Sequence, residues 1–217
     1  MKNIFPFLFL LAASITTNAQ DAKKIFSEEK IVFYGLDFTK AKFALPDASI
    51  EEIKNTLFSQ WNENVFTDNG RFGKESAFQK VTVPADPTIV DRRNKDVSTT
   101  GMTDKYETPL SKEEIQKVID DYKNGKRKEG VGVVFLVESF SKKDKKGIAD
   151  VVFFDIVSHK VLLAKRMTGE PRGGGLNNYW VGTIEVMFNK MIKNVWANKG
   201  NCLLLVLTVY KNKVATT

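Results

Sequence analysis

The 217-residue sequence is poor in the residues that build most metal and redox sites. It has one cysteine, Cys202, and one histidine, His159. A lone cysteine excludes an internal disulfide. The fold must therefore be held by core burial, which a chain of this length can supply in one domain. A lone histidine excludes a metal site built on histidines. HExxH, CxxC, GxSxG, GxxxxGK(S/T) and EF-hand patterns are missing, so no metal, cofactor or catalytic residue is expected from motif alone. The loops "DNG" at 68–70 and "KDKKG" at 143–147 have too few oxygen ligands in sequence for calcium. No apolar run reaches the ~18–20 residues that a spanning helix needs, so no transmembrane span is expected. There is no internal repeat and no low-complexity tract.

The N-terminus has the pattern of a secretory signal peptide. Met1 and Lys2 give a positive start, "IFPFLFLLAA" is a short apolar run, and "TTNAQ" follows with small and polar residues. The expected cut is after Ala19, leaving Gln20 first. No cysteine lies near the cut, so a lipid anchor is not expected. The protein is then periplasmic or secreted. The formal net charge is +7 and falls by one with the loss of Lys2. Solubility explains a surplus of this size, and affinity for anionic glycans, lipids or wall polymers is the alternative. A nucleic-acid partner is not expected.

Periodicity sets out the elements. Residues 30–38, "KIVFYGLDF", are apolar, β-branched and aromatic, and predict a buried strand. Ser49 and Glu52 form a capping-box pattern, and Ile50, Ile53, Leu57, Trp61 and Val65 recur on one face, predicting a helix over 49–66. Residues 67–110 have no clear period. Short strands near Gln79–Val83 and Thr88–Val90 are the expectation, in a stretch long enough to be a binding or docking segment. Ser111 and Glu114 repeat the capping box, and Ile115, Val118, Ile119 and Tyr122 continue a helix that ends near Asn124–Gly125. Three strands follow at 130–140, 147–157 and 160–169. Their connectors are too short for a parallel crossover, so they form an antiparallel meander. The first two are apolar on both faces, which predicts a covering layer on each side. The last helix starts at Asn177 or Asn178 and is lined by Trp180, Ile184, Met187, Phe188, Met191, Ile192 and Val195. Beyond Gly200, "NCLLLVLTVY" is a further strand or an atypical tail. The order predicts one α/β (α+β) domain over 20–199, a layered fold with a mixed sheet and about three amphipathic helices.

The stretch "TGEPRGGGLNNYW" at 168–180 is the main candidate for a binding loop. A glycine-rich loop opening a helix can hold an anion. The meander places it at the same sheet end as the 141–146 loop. That end gathers Lys142, Lys143, Lys145, Lys146 and Arg172 beside Gly173, Gly174, Gly175 and Tyr179. The loop lacks the Lys-Ser/Thr that contacts phosphate and does not follow a buried parallel strand. Its glycines are therefore expected mainly to reverse the chain, with positive φ at one or more of them. The opposite end is also basic, with Lys126, Arg127, Lys128 and Lys160.

Other candidates have plain structural explanations. Asp37 and Asp155 end apolar strands. They make a carboxylate pair for acid–base chemistry if their strands are neighbours, and otherwise bond a turn or a lysine. His159 sits at a hairpin turn. Cys202 reads as a small apolar residue. Trp180 belongs to the buried stripe, while Tyr179 lies off it and suits an exposed contact.

The stretches "VFYGLDFTKAKF" at 32–43, "VVFFDIVSHKVLLAKRMTG" at 151–169 and "GGGLNNYWVG" at 173–182 resemble small secreted proteins of unknown function from bacteria of the Bacteroidota type. The resemblance covers both ends of the domain, little of 67–110, and stops near Trp196. It implies export to the envelope and assigns no activity. In element order the chain also looks like the periplasmic α/β domain of curli-secretion lipoproteins, although their anchor cysteine is absent. The expected function is a non-enzymatic docking or assembly module for an envelope protein or surface polymer. The alternatives are a binding module for an anionic ligand (glycan, lipid head group or phosphate) at the 141–146 and 170–176 loops, and a paired-carboxylate hydrolase.

Overall fold

The structure, a computed structural model, describes residues 23–80, 82–106 and 108–196. The expectations for the cut at Ala19, for the side chain of Ile192 and for 200–217 with Cys202 lie outside the described residues.

Five strands make one mixed sheet: β1 Ile31–Asp37, β2 Lys42–Ala44, β3 Val131–Ser141, β4 Lys146–Asp155 and β5 Val161–Gly169. The order is β1-β3-β4-β5, with β2 also on β3. β1 and β2 run parallel to β3, and the β3–β4–β5 meander is antiparallel as expected. β1 and β3 are buried along their whole length. The reason is that helices cover both faces.

One face carries α1, which runs from Ile50–Glu52 through a π-helical turn, Ile53–Leu57, into Phe58–Thr67. It is joined there by α2 Asn69–Phe72, α3 Lys74–Ala77 and α6 Gly175–Asn194. Phe33, Phe135 and Phe153 from the sheet meet Phe78 and Phe188 in this layer. The other face carries α4 Thr88–Asp96 and α5 Lys112–Asp120, whose Ile89, Val90, Ile115, Val118 and Ile119 pack on Val32, Val134, Leu136 and Val152. The Ser111–Glu114 capping box is formed in both directions. At α1, Ser49 caps the Glu52 amide at 3.1 Å.

Four expectations need correcting. Thr88–Val90 opens a helix, because the fixed φ of Pro87 and the Asp86 carboxylate facing the Thr88 amide start a helical turn that outweighs the β-branched run. Around Gln79–Val83 only an isolated bridge, Lys30↔Thr82, forms, since Gln79 is left-handed (φ 46) and Pro84 removes a ladder donor. The last helix begins at Gly175, so Asn177 and Asn178 lie inside its first turn. The preceding helix also stops earlier, at Asp120, with Asn124 left-handed beyond it.

The outer edge of β1 is closed by two helix-borne amides. Asn62 of α1 accepts from the Leu36 amide at 2.7 Å and donates to the Leu36 carbonyl at 3.0 Å. Asn94 of α4 donates to the same carbonyl at 2.8 Å and accepts from the Phe38 amide at 2.8 Å. Gly35 allows this approach: a Cβ there would lie 2.4 Å from the Asn62 Oδ1, and φ is +105°.

Candidate functional site

The register Gly147↔Gly169 brings the 141–146 and 170–176 loops to one end of the sheet, as the meander implies. Lys142, Lys143, Lys145, Lys146 and Arg172 are all exposed there. Asp47 pairs with Lys142, and Asp144 closes a turn on the Ser141 hydroxyl, so acidic groups are interleaved with the lysines. Gly173 (φ +95) and Gly175 (φ +75) take the left-handed conformation that the reversal requires, while Gly174 does not. The Arg172 carbonyl lies against α6 so closely that a Cβ on Gly182 would be 2.3 Å away. Tyr179 is half-buried, edge-on to Trp180 at 5.0 Å, and Trp180 stacks on Phe140 at 4.5 Å. Trp196 is buried too and donates to the Ala77 carbonyl at 2.8 Å. These three aromatics are core residues or lean on the core.

Asp37 and Asp155 do not pair. Asp37 aligns with Leu136 and Asp155 with Val131, so they sit toward opposite ends of the sheet with β3 between their strands. Asp37 accepts from Arg93 at 2.8 Å, Tyr122 at 2.7 Å and the Thr39 amide at 2.8 Å. Asp155 holds the Ser158 turn and pairs with Lys24. Burial raises the Asp155 carboxyl, but Lys24 and the Ser158 donors outweigh it and hold it at about 2. His159 is left-handed (φ 57) in that turn, and its carbonyl accepts from Gln116.

A different carboxylate pair is present. Glu138 and Asp150 lie on adjacent strands, 1% and 4% exposed. A β-bulge between Val137 and Ser139 shifts the side-chain alternation at Glu138. Glu138 is thereby set beside Asp150, which pairs with Leu136, and beside Arg166, which pairs with Asp150 across β4 and β5. Glu138 Oε1 meets Arg166 Nη1 at 2.5 Å. Its Oε2 accepts from the Tyr106 hydroxyl at 3.0 Å and from the Leu110 amide at 2.9 Å. Arg166 also donates to the Tyr106 hydroxyl and lies over its ring, 5.5 Å from the centroid. Burial, then the neighbouring Glu138 charge, raises the Asp150 carboxyl to about 7, against the lowering effect of Arg166. Asp150 thus keeps its proton to higher pH than a free carboxyl does, and Arg166 pairs with Glu138 beside it. The sequence held a signal for this pair that the motif reading passes over: "LVESF" and "IADVV" each put one acid inside an otherwise apolar strand, where a charge needs a partner.

Two cavities flank the pair. One of about 460 Å³ is lined by Lys40, Lys42, Tyr106 and Glu138. The other, about 770 Å³, lies between α5 and the edge strand β5 and is lined by Leu110, Ile115, Val161, Leu163, Asp150 and Arg166.

A third cavity, about 740 Å³, opens at the opposite end of the sheet from the glycine loop. Lys24, Lys30, Lys126, Arg127 and Lys128 line it, against two acids, Glu28 and Glu129. The Lys126 and Arg127 amides both donate to the buried Asp86 carboxylate, at 2.8 and 3.1 Å, so this basic run has a fixed backbone. Burial raises the Asp86 carboxyl, but the bonds from Arg127, Thr88 and Lys126 outweigh it and hold it below its usual range. Val157, two-thirds exposed, stands on the rim.

Compared with known proteins, the chain matches no family model, no curated protein and no solved structure. Among the described residues, no helix is long and apolar enough to cross a membrane.

Proposed function

We propose that the chain is an exported docking module that binds an anionic partner, a surface polymer or an acidic protein face, at the cavity lined by Lys24, Lys30, Lys126, Arg127 and Lys128. The single observation that carries this reading is the built charge there: five basic side chains, of which Lys24 is paired with Asp155, against two lining acids around one concavity, on a backbone clamped by Asp86. A concave patch of one sign concentrates counter-charged ligands and speeds their encounter. The exposed Val157 at the rim adds an apolar contact beside the charges. Export rests on the leader-like N-terminus.

The alternative anion site, at the 141–146 and 170–176 loops, is tested by the same experiment. Dextran sulfate is titrated against the wild type and two charge-reversal variants, K126E/R127E/K128E and K143E/K145E/K146E. The first variant is expected to lose at least tenfold in affinity and to show a flatter salt dependence. The second is expected to stay within about threefold. A larger loss in the second variant moves the site to the glycine-loop end, and no saturable binding by the wild type removes the reading.

A further inference from the structure

We propose that the outer edge of β5 is a second docking surface, one that takes an extended peptide of alternating apolar and acidic residues as a sixth strand of the sheet. This goes beyond the basic cavity and uses none of its residues.

The edge is open because of its hydrogen-bond phase. β5 ends the sheet and is half-buried from Val161 to Arg166. In an antiparallel pair, residues alternate between bonding the partner strand and turning both backbone groups away from it. The Asp155 amide donates to the Lys160 carbonyl, so Asp155, Phe153, Val151 and Ala149 are the β4 residues that face β5. Opposite them, Leu163, Lys165 and Met167 turn toward β4, which leaves Ala164, Arg166 and Thr168 turned outward. Two side chains close the ends of this row. Gln116 accepts from the Val161 amide at 3.0 Å, and Lys190 donates to the Thr168 carbonyl at 2.9 Å. Between them, among the described residues, no strand or side chain meets the amides and carbonyls of Ala164 and Arg166 or the amide of Thr168. Such a row is a template for a further strand.

The two flanks of the edge select the peptide. Ala164 packs with the apolar layer under α5, and Arg166 on the same face is already paired with Glu138. The cavity of about 770 Å³ between α5 and β5 opens on this face. A strand paired with Ala164 and Arg166 sets the side chains of its opposite residues over that cavity. Pro109, Leu110, Ile115 and Val161 line it there, so those residues should be apolar. The intervening residues project on the α6 face, where Leu163 and Met167 belong to the core and Lys165 stands half-buried between them. Lys190 of α6 lies at the end of the same row. Two lysines along that flank favour acids in the intervening positions. A second copy of β5 would bring its own Lys165 to this flank, and residues 200–217 of the chain contain no acid, so a segment of another protein fits better than either.

Main-chain pairing distinguishes this surface from simple charge attraction. Calorimetric titration of the full-length protein with the peptide Ac-Glu-Val-Glu-Val-Glu-Val-Glu-NH2 tests it, alongside two analogues N-methylated at the three valines or at the last three glutamates. All three peptides carry the same charge. With the valines over the cavity, the valine amides face β5 and the glutamate amides face solvent. The wild type is expected to bind the parent peptide saturably, the glutamate-methylated form within about threefold of it, and the valine-methylated form at least about tenfold more weakly. A164P removes one outward amide and leaves the ladder to β4 intact, since an edge strand tolerates proline. It is expected to lose at least about tenfold in affinity while melting cooperatively, and K165E to lose at least about fivefold. No saturable binding by the wild type, equal binding of the two methylated peptides, or unchanged affinity in A164P or K165E would each overturn the proposal. If A164P does not fold, the two methylated peptides on the wild type decide.

Discussion

Asp150 shows how much one side chain can depend on its surroundings. Its carboxyl lies between β3 and β5, beside Glu138 and Arg166, and is raised to about 7 by burial first and by the Glu138 charge second. A carboxyl raised in the folded state binds its proton more tightly there than in the unfolded chain, whose value is near 4. Its stabilising protonation is therefore complete below about pH 4 and is lost as pH rises through about 7. Thermal melts from pH 4 to pH 8 are expected to fall in midpoint across this range for the wild type. The D150N variant should show a shallower fall, and equal slopes in the two proteins would refute the assignment. Gly173 and Gly175 illustrate a simpler dependence: each occupies a left-handed conformation at the entry to α6, and the glycine-rich stretch owes its composition to that reversal.

At the scale of elements, legibility followed periodicity. The strands β1, β3, β4 and β5 and the helices α1, α5 and α6 were visible because each has an unbroken apolar period or a capping box. The 67–110 stretch was not, because its helices are short and start from backbone signals. Pro87 with Asp86 launches α4 over a Thr-Ile-Val run that reads as strand on side chains alone. The Glu138–Asp150 pair was hidden for a related reason: a bulge decides which residue stands beside which, and a two-residue period does not reveal a bulge. Asn62 was equally silent, as a polar residue next to the Trp61–Val65 stripe. It closes the edge of β1 by bonding both the amide and the carbonyl of Leu36. Asn62→Leu leaves the buried Leu36 amide without its acceptor, while Asn94 still serves the carbonyl. The expected cost is about 1–3 kcal/mol, read from chemical denaturation. A change within about 0.3 kcal/mol would show that the edge does not need this cap.

For the whole molecule, the three-layer arrangement puts distinct chemistry at distinct places. The glycine-rich turn ends the sheet on one side, with lysines exposed and acids interleaved. The basic cavity ends it on the other, where β1 and β3 begin and the Asp86 clamp fixes Lys126 and Arg127. The Glu138–Asp150 pair, with Arg166, lies on the sheet face beside α5. The proposed docking role requires that a partner be engaged at one end while the rest of the fold stays unchanged. Hydrogen–deuterium exchange with and without dextran sulfate tests that claim most directly. Slowed exchange confined to residues 24–32 and 124–131 is the predicted result, and slowing confined to 141–146 and 170–176 would contradict it.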